Sequence, residues 1–577
     1  MKKSRINWCN IFRFCLPYLA ILILTTLIIS SQLLSHATFI TADRYFHFSR
    51  FYDAAQQIKT GNFSYFQNNI TAMQSGRIIN ALYGPFFAYL NGLLVLLSGS
   101  WFTYQIIMDY LVYLIGGMAT YRMLTKVKVR QSTAILLSLL YLTLGIMPGW
   151  LRADNFMAWG AALAPYVVMC GIDMIQDKKN PVHWLKLMLI MSIVAQIHLL
   201  STVILAASLI PFVFYALILD DNKKQLILNL AKAVAGTLVL TANIWGAFLL
   251  LYSNNKIALP KSFNLNASAI HFSTHGSEHS QLPVLVFCLL IAQIIYVCFH
   301  LKENKLNTFV TIEGAILLLL ASRIMPWHLI QHLLPGLGQS FQFPYRLVVA
   351  AYPLLFLGMG LTLESLTKYK KERFIVLTIL GASLLQTTIF TYQTNYALTK
   401  IYNNPNRVAV LTTYYQIDNH RLDIRKATNG KDMGLLFKVI NRTEPDYLPV
   451  YKQKLRPDTV NLLYRTDIID QSLGYNYFVR GSSLNLSWVA NRSGQVQLPI
   501  VMYHQSRLQV NHRVIKPKEL SPIGSPTIQQ KKGYNVATLT FMVPQWFWLL
   551  VVISVSGWLV LIFYGLGKCI FLIRRLE

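Results

Sequence analysis

The sequence predicts a mainly α polytopic membrane protein of about twelve transmembrane helices, with an extracytoplasmic β-rich, sandwich-like domain placed before the last helix. Three observations predict it. Of 577 residues, 54% are hydrophobic and only 13% charged, a balance that excludes an ordinary soluble chain. Apolar runs recur at the length a helix needs to cross a bilayer, roughly 20 residues. Short loops rich in Lys and Arg alternate with loops that lack them, as cytoplasmic and outer loops do.

The runs are 14–34, 101–121, 132–149, 156–175, 228–251, 283–301, 347–363, 374–391 and 546–567, with a shorter one at 308–322. The apolar stretch 185–219 is too long for one span, and His198-Leu199-Leu200-Ser201 near its middle predicts a hairpin of two short helices. The first outer loop, 35–100, holds an amphipathic helix at 43–59, a break at Gly61-Asn62 and an apolar stretch 82–97 opened by Tyr83-Gly84-Pro85. If 82–97 crossed, the basic loop 122–131 would be forced outside, so it reads as a juxtamembrane or re-entrant helix.

Basic clusters at Lys2/Lys3/Arg5, Arg122/Lys126, Lys178/Lys179, Lys223/Lys224, Lys302/Lys305 and Lys368/Lys370 all fall inside when both termini are cytoplasmic. These loops account for much of the net charge of +29, so the charge implies no nucleic-acid partner. The six cysteines lie in predicted helices or on the cytoplasmic side, and none has metal-site spacing.

The chain therefore divides into a transmembrane unit at 1–391, an outer β-rich domain at 392–543, and a C-terminal transmembrane helix with its tail at 544–577. Alternation in Leu484-Asn485-Leu486-Ser487-Trp488, in the run Val496 to Val501 and in Val536 to Phe541 predicts strands with one buried face.

Acidic residues number only 23, which makes each one outside or within a span informative. On a helix, Asp43, His47 and Arg50 share one face. A carboxylate can act as a base or hold a metal, and a guanidinium can grip phosphate, so this face suits group transfer from a phosphorylated lipid at the membrane surface. The alternative is a helix start, with Thr41 as cap and Asp43 complementing the dipole.

Asp53 and Asp154 are further outer carboxylates, the latter also placed to cap a helix beginning at Asn155. Asp109, Asp173 and Glu313 lie in predicted spans, where an ionisable group is by default a functional candidate; Asp173 and Glu313 are near cytoplasmic ends, where they can reach water, and Asp109 is deeper, where the alternative is a structural hydrogen-bonding role. Outward Arg44, Arg50, Arg77, Arg152, Arg323 and Arg346 favour an anionic ligand as a set. His198 at the hairpin tip faces the same side. His271, His275 and His279 have helical metal-site spacing but sit in sequence that reads as a loop.

An outward acidic residue just after the first span, first-loop helices and many spans followed by a β-rich domain resemble the GT-C glycosyltransferase superfamily. More closely, Asp43-x-x-x-His47-x-x-Arg50, Arg152-x-Asp154, Gln196 to Ser201, Gln342-Phe343-Pro344-Tyr345-Arg346 and Asp446-Tyr447-Leu448-Pro449 resemble bacterial membrane proteins of the 6-pyruvoyl-tetrahydropterin synthase-related and YfhO-like families. Members carry a Glu shortly after the Arg of the second outer loop, where this chain has Met157-Ala158-Trp159-Gly160 and Asp154 stands nearby.

The resemblance implies a cell-membrane glycosyltransferase that takes a sugar from a polyprenyl-phosphate donor to a cell-surface glycan or glycopolymer on the outer face. Its catalytic residues would be Asp43, His47 and Asp154. Arg44, Arg50, Arg152, Arg346 and His198 would bind the donor, and Asp43 is the position for any divalent cation. A flippase for lipid-linked sugars, which would want charges along a midplane path, and a non-catalytic glycan-binding envelope protein are the alternatives.

Overall fold

The computed structural model describes residues 8–219, 222–404, 409, 415–417, 421–443, 445–451 and 455–574. Helices dominate. The first half contains α1 (Trp8–Ser35), α2 (Ala42–Thr60), α3 (Pro85–Ser98), α4 (Trp101–Lys126), α5 (Gln131–Leu142), α6 (Ile146–Ala153), α7 (Met157–Gln176), α8 (Trp184–Ile197), α9 (Leu199–Leu219), α10 (Lys223–Leu240) and α11 (Ala242–Asn254). A short parallel pair, β1 (His271–Ser273) and β2 (Gln281–Pro283), leads to α12 (Val284–Phe299), α13 (Lys305–Ala321), α14 (Trp327–Leu333), α15 (Leu337–Ser340), α16 (Val348–Ser365) and α17 (Lys370–Asn403).

Among the described residues, six helical segments are long and apolar enough to cross a membrane: Ile11–Ser35, Met157–Gln176, Leu199–Leu219, Pro344–Lys368, Lys370–Asn403 and Gln545–Cys569. The α10–α11 pair, bent by 64°, makes a seventh if it is one span. The expectation of about twelve counted apolar runs, but several fold into shorter helices: α5 has 12 residues, α8 has 14 and α12 has 16. At 1.5 Å per residue α8 rises about 21 Å, less than a hydrocarbon core of about 30 Å.

At one end the predicted cytoplasmic loops meet: Asp173 pairs with Lys126 and with Lys186 (2.8 Å), and Arg130 with Glu364 (3.4 Å). At the other, Gln32 at the end of α1 donates to Gln105 near the start of α4 (2.7 Å), and Asn395 of α17 donates to Gln32 (3.3 Å). The α8–α9 turn falls at His198, as the sequence indicates. Glu313 does not lie at a helix end but midway along α13, buried.

The chain after α17 is less strand-rich than its alternation suggests. The boundary drawn at 391 falls inside α17. Strands β3 (Tyr415–Ile417) and β4 (Ile440–Arg442) flank helices α18 (Arg421–Asn429) and α19 (Leu436–Val439), and α20 (Pro457–Tyr464) follows. The β region proper is β5 (Asn476–Arg480), β6 (Ser483–Ala490), β7 (Gly494–Gln497), β8 (Ser506–Val510), β9 (Arg513–Ile515), β10 (Glu519–Leu520), β11 (Pro526–Gln530) and β12 (Gly533–Phe541), and α21 (Gln545–Arg574) closes the chain.

An antiparallel sheet of order β5-β6-β12-β8-β9 and a second of order β10-β11-β7 share an apolar core that includes Leu484, Trp488, Leu508, Ile528 and Leu539. The predicted strand at 496–501 stops at Gln497, after which Leu498, Ile500 and Val501 are buried in irregular chain. Nor is this region walled off from the helices. Ile78 and Leu82 of the first loop and Leu250 of α11 share a core with Tyr464, Tyr503 and Phe541, and the backbone N–H of Phe541 donates to Gln67 (2.9 Å). Alternation reveals that a strand has a buried face, not what buries it.

Candidate functional site

The site is built around α2. Thr41 stands at its N-cap in extended conformation without a side-chain capping bond, and Gly61 ends it in the left-handed region (φ 72°), donating to Gln57 O at 3.0 Å. The helix is not amphipathic, because Arg44, His47, Ser49, Arg50 and Asp53 are buried along with its aromatic residues. α3 packs against it, and Gly92 brings the backbones together: a Cβ there would lie 2.8 Å from Ala55 N. At Gly84 (φ 73°) a Cβ would meet Gln196 O at 2.0 Å, so only glycine lets the Tyr83 turn reach the α8–α9 hairpin.

These elements close a cavity of 760 Å³ at the end away from the basic loops. Asp43, His47, Tyr83, His198, His279 and Arg346 reach it from the transmembrane unit, and Arg442 and Asp446 from the chain after α17. Asp43 is exposed to the cavity, yet protein surrounds it on the other sides. Burial raises its carboxyl above the usual range; Arg442 opposes the rise, and Asp446 adds to it. Among the described residues it has no hydrogen bond or ion pair, so its oxygens are open to a ligand.

Two of the cavity imidazoles, those of His47 and His198, are neutral near pH 7. His47 stacks on Phe156 (ring centroids 3.9 Å apart), and burial together with Arg50 holds it well below its usual value. His198 Nδ1 accepts from the backbone N–H of Ser201 (3.2 Å), so the neutral ring carries its proton on Nε2. Burial, then Arg346 and Arg50, push it down to about 3.

The predicted arginines disperse. Arg346 lines the cavity, stacked on Phe343 (4.7 Å) and donating to Phe341 O (2.7 Å) and Gln342 Oε1 (2.9 Å). Arg44 is fully buried away from it, donating to Trp150 O (3.0 Å) and Leu151 O (2.8 Å) and paired with Asp154 (2.8 Å). Asp154 therefore serves as a buried counter-ion and does not line the cavity. It is the left-handed C-cap of α6 (φ 50°), while Asn155 Oδ1 accepts from Met157 N (3.1 Å) at the start of α7.

Arg50 lies under the cavity wall, between Tyr83 (4.6 Å) and Phe156 (5.2 Å), with Nη1 donating to Tyr83 O (2.6 Å). Burial pushes it down to about 10, so it stays charged. Arg152 is largely exposed and pairs with Glu278 (3.2 Å). The i, i+7 step from Asp43 to Arg50 thus shares a helix face, but aromatic packing covers its far end.

Asp109 and Asp53 serve the structure rather than the cavity. Asp109 accepts from Trp150 Nε1 (2.9 Å). Asp53 accepts from Ile70 N (3.0 Å) and Gln57 Nε2 (2.7 Å), and burial pushes it up to about 7. His271 lies in β1, and among the described residues no group of three or more His, Cys, Asp or Glu could hold an ion.

Sequence reasoning missed Arg442 and Lys261 on the cavity, and quoted Asp446 only within a motif. Arg442 is one basic residue among many after α17, and nothing in its neighbours marks it. No protein-family model matches this chain, and no curated protein matches it.

Proposed function

We propose that the protein is an integral membrane glycosyltransferase of GT-C-like architecture, moving a sugar from a polyprenyl-phosphate donor to a cell-envelope acceptor on the outer face. The observation that carries this reading is the Asp43 carboxylate, open to a polar cavity and unbonded, with Arg346, Arg442 and Lys261 on the same walls. A general base must be accessible and is most effective when its pKa is raised towards the working pH, as burial does for Asp43.

In this scheme the acceptor hydroxyl attacks the anomeric carbon and gives its proton to Asp43 as the phosphate departs with the bonding electrons. Arg346 and Lys261 balance the phosphate charge, and His198 Nε2–H donates a neutral hydrogen bond to it. His47, neutral and locked by Phe156, shapes the wall beside Asp43. Asp43, Asp446 and Asp458 are the cavity carboxylates that would meet any divalent cation. About twelve crossings with both termini inside, and sandwich-like packing of the two sheets outside, belong to the same proposal; the gathering of basic loops at one end supports the topology.

The experiment is direct. Purified protein in lipid vesicles is given labelled polyprenyl-phosphate sugars and envelope glycans. Transfer that depends on Asp43 supports the reading, and no transfer from any such donor removes it.

A further inference from the structure

Between α9 and α13 runs a groove of 770 Å³ with nearly all-hydrocarbon walls, among them Leu200, Ile204, Ala207, Phe309 and Ile316. One acidic group interrupts it midway. Glu313 is 8% exposed, lines the groove, and has no hydrogen-bond partner on either carboxyl oxygen among the described residues. A buried polar group without a partner is costly, most of all in a membrane span, and so points to a ligand that supplies one. The basic lining residue on the same helix, Lys305, is about 12 Å away along the axis.

The groove's mouth at the cavity end is formed by Phe341 and Leu347, which adjoin Gln342 and Arg346 of the polar cavity. Gly314 abuts Ala351 O and Leu355, which sets Glu313 one to two turns of α16 below Leu347, about 6–12 Å. A ligand here needs a hydrocarbon chain, a hydrogen-bond acceptor a short way down it, and a polar head at the mouth.

We propose that the α9–α13 groove binds an ester-linked acyl lipid, with the Glu313 carboxyl, neutral because an unpaired charge among these hydrocarbon walls is too costly, donating to an ester carbonyl and the head group at the cavity mouth. A polyprenyl chain fits the walls but offers Glu313 nothing. The proposal is independent of the sugar transfer proposed above, because it concerns occupancy of a different cavity.

The test is native mass spectrometry of the full chain in detergent micelles, titrated with a diacyl phosphatidylglycerol and with its dialkyl ether analogue. One hydrogen bond predicts that the ester lipid binds roughly two- to tenfold more tightly. Glu313→Gln, whose amide still donates, should keep the preference, and Glu313→Leu should lose it while still binding both lipids. Ala207→Trp, which fills the groove, should weaken both. Thermal unfolding of each variant checks the fold. Equal affinity for ester and ether in the unaltered protein, a preference that survives Glu313→Leu, or binding indifferent to Ala207→Trp would each overturn the proposal. So would tighter binding of a polyprenyl phosphate that Ala207→Trp abolishes, which would assign the groove to the donor.

Discussion

Replacing Asp43 with Asn separates chemistry from architecture more sharply than any other change in this protein. The side chain makes no hydrogen bond or ion pair among the described residues, so the substitution removes no contact. Its charge is favoured by Arg442 across the cavity and by its place in the first turn of α2, where a negative charge is worth about 0.3–1 kcal/mol against the helix dipole. Burial works in the other direction, because the folded state already disfavours the charge. The net change in stability should stay below about 1 kcal/mol, whereas loss of a general base costs about 10²–10⁴-fold in rate.

The pH dependence adds a second signature. With the folded carboxyl raised above its unfolded value, the contribution to stability is full below the unfolded pKa and is lost as pH rises through the folded one. Transfer needs the ionised form, so over that window activity should climb while stability slips. The Asn variant should show neither trend. The assay is transfer from a polyprenyl-phosphate sugar by purified protein, with thermal unfolding measured alongside from pH 4 to 9. Near-normal turnover by a folded Asp43→Asn protein would refute the reasoning and favour a glycan-binding role without catalysis.

Three further outcomes are expected. Asp154→Ala leaves Arg44 buried without its carboxylate and should cost about 3–5 kcal/mol of stability, seen as a large fall in melting temperature; a fall no greater than that of Asp43→Asn would contradict the structural role. Asp53, pushed up to about 7, should make the folded state lose stability as pH rises from about 4 towards 7, and Asp53→Asn should flatten that slope in pH-dependent unfolding. In a cysteine-free background, Lys532→Cys should react with an impermeant thiol reagent on intact cells and Lys179→Cys should not; the reverse pattern would invert the proposed topology.

By itself the sequence determined the features that arise from local composition. Apolar runs marked the helices, the His198 turn and the Gly61 break appeared where expected, and the alternation around Leu486 and Leu539 marked central strands. These signals are legible because burial imposes a period on neighbouring residues. The placing of Asp43 and His47 on one helix face, which borders the cavity, was legible for the same reason.

Other assignments were decided only by tertiary structure. Asp43 to Arg50 is a single helix face, yet Tyr83 and Phe156 cover the arginine and leave the carboxylate open. Arg44 and Asp154 look like cavity groups in the chain but cancel each other out of reach of it, while Arg442 and Asp446 arrive from nearly 400 residues away. Glu313 stands out in the sequence only as an acidic residue in a predicted span, placed there near a cytoplasmic end; its midway position and its lack of a partner appear only when α9 and α13 are set side by side. Whether a charged group binds, pairs or waits depends on what the rest of the chain puts within a few ångströms of it, and no local period encodes that.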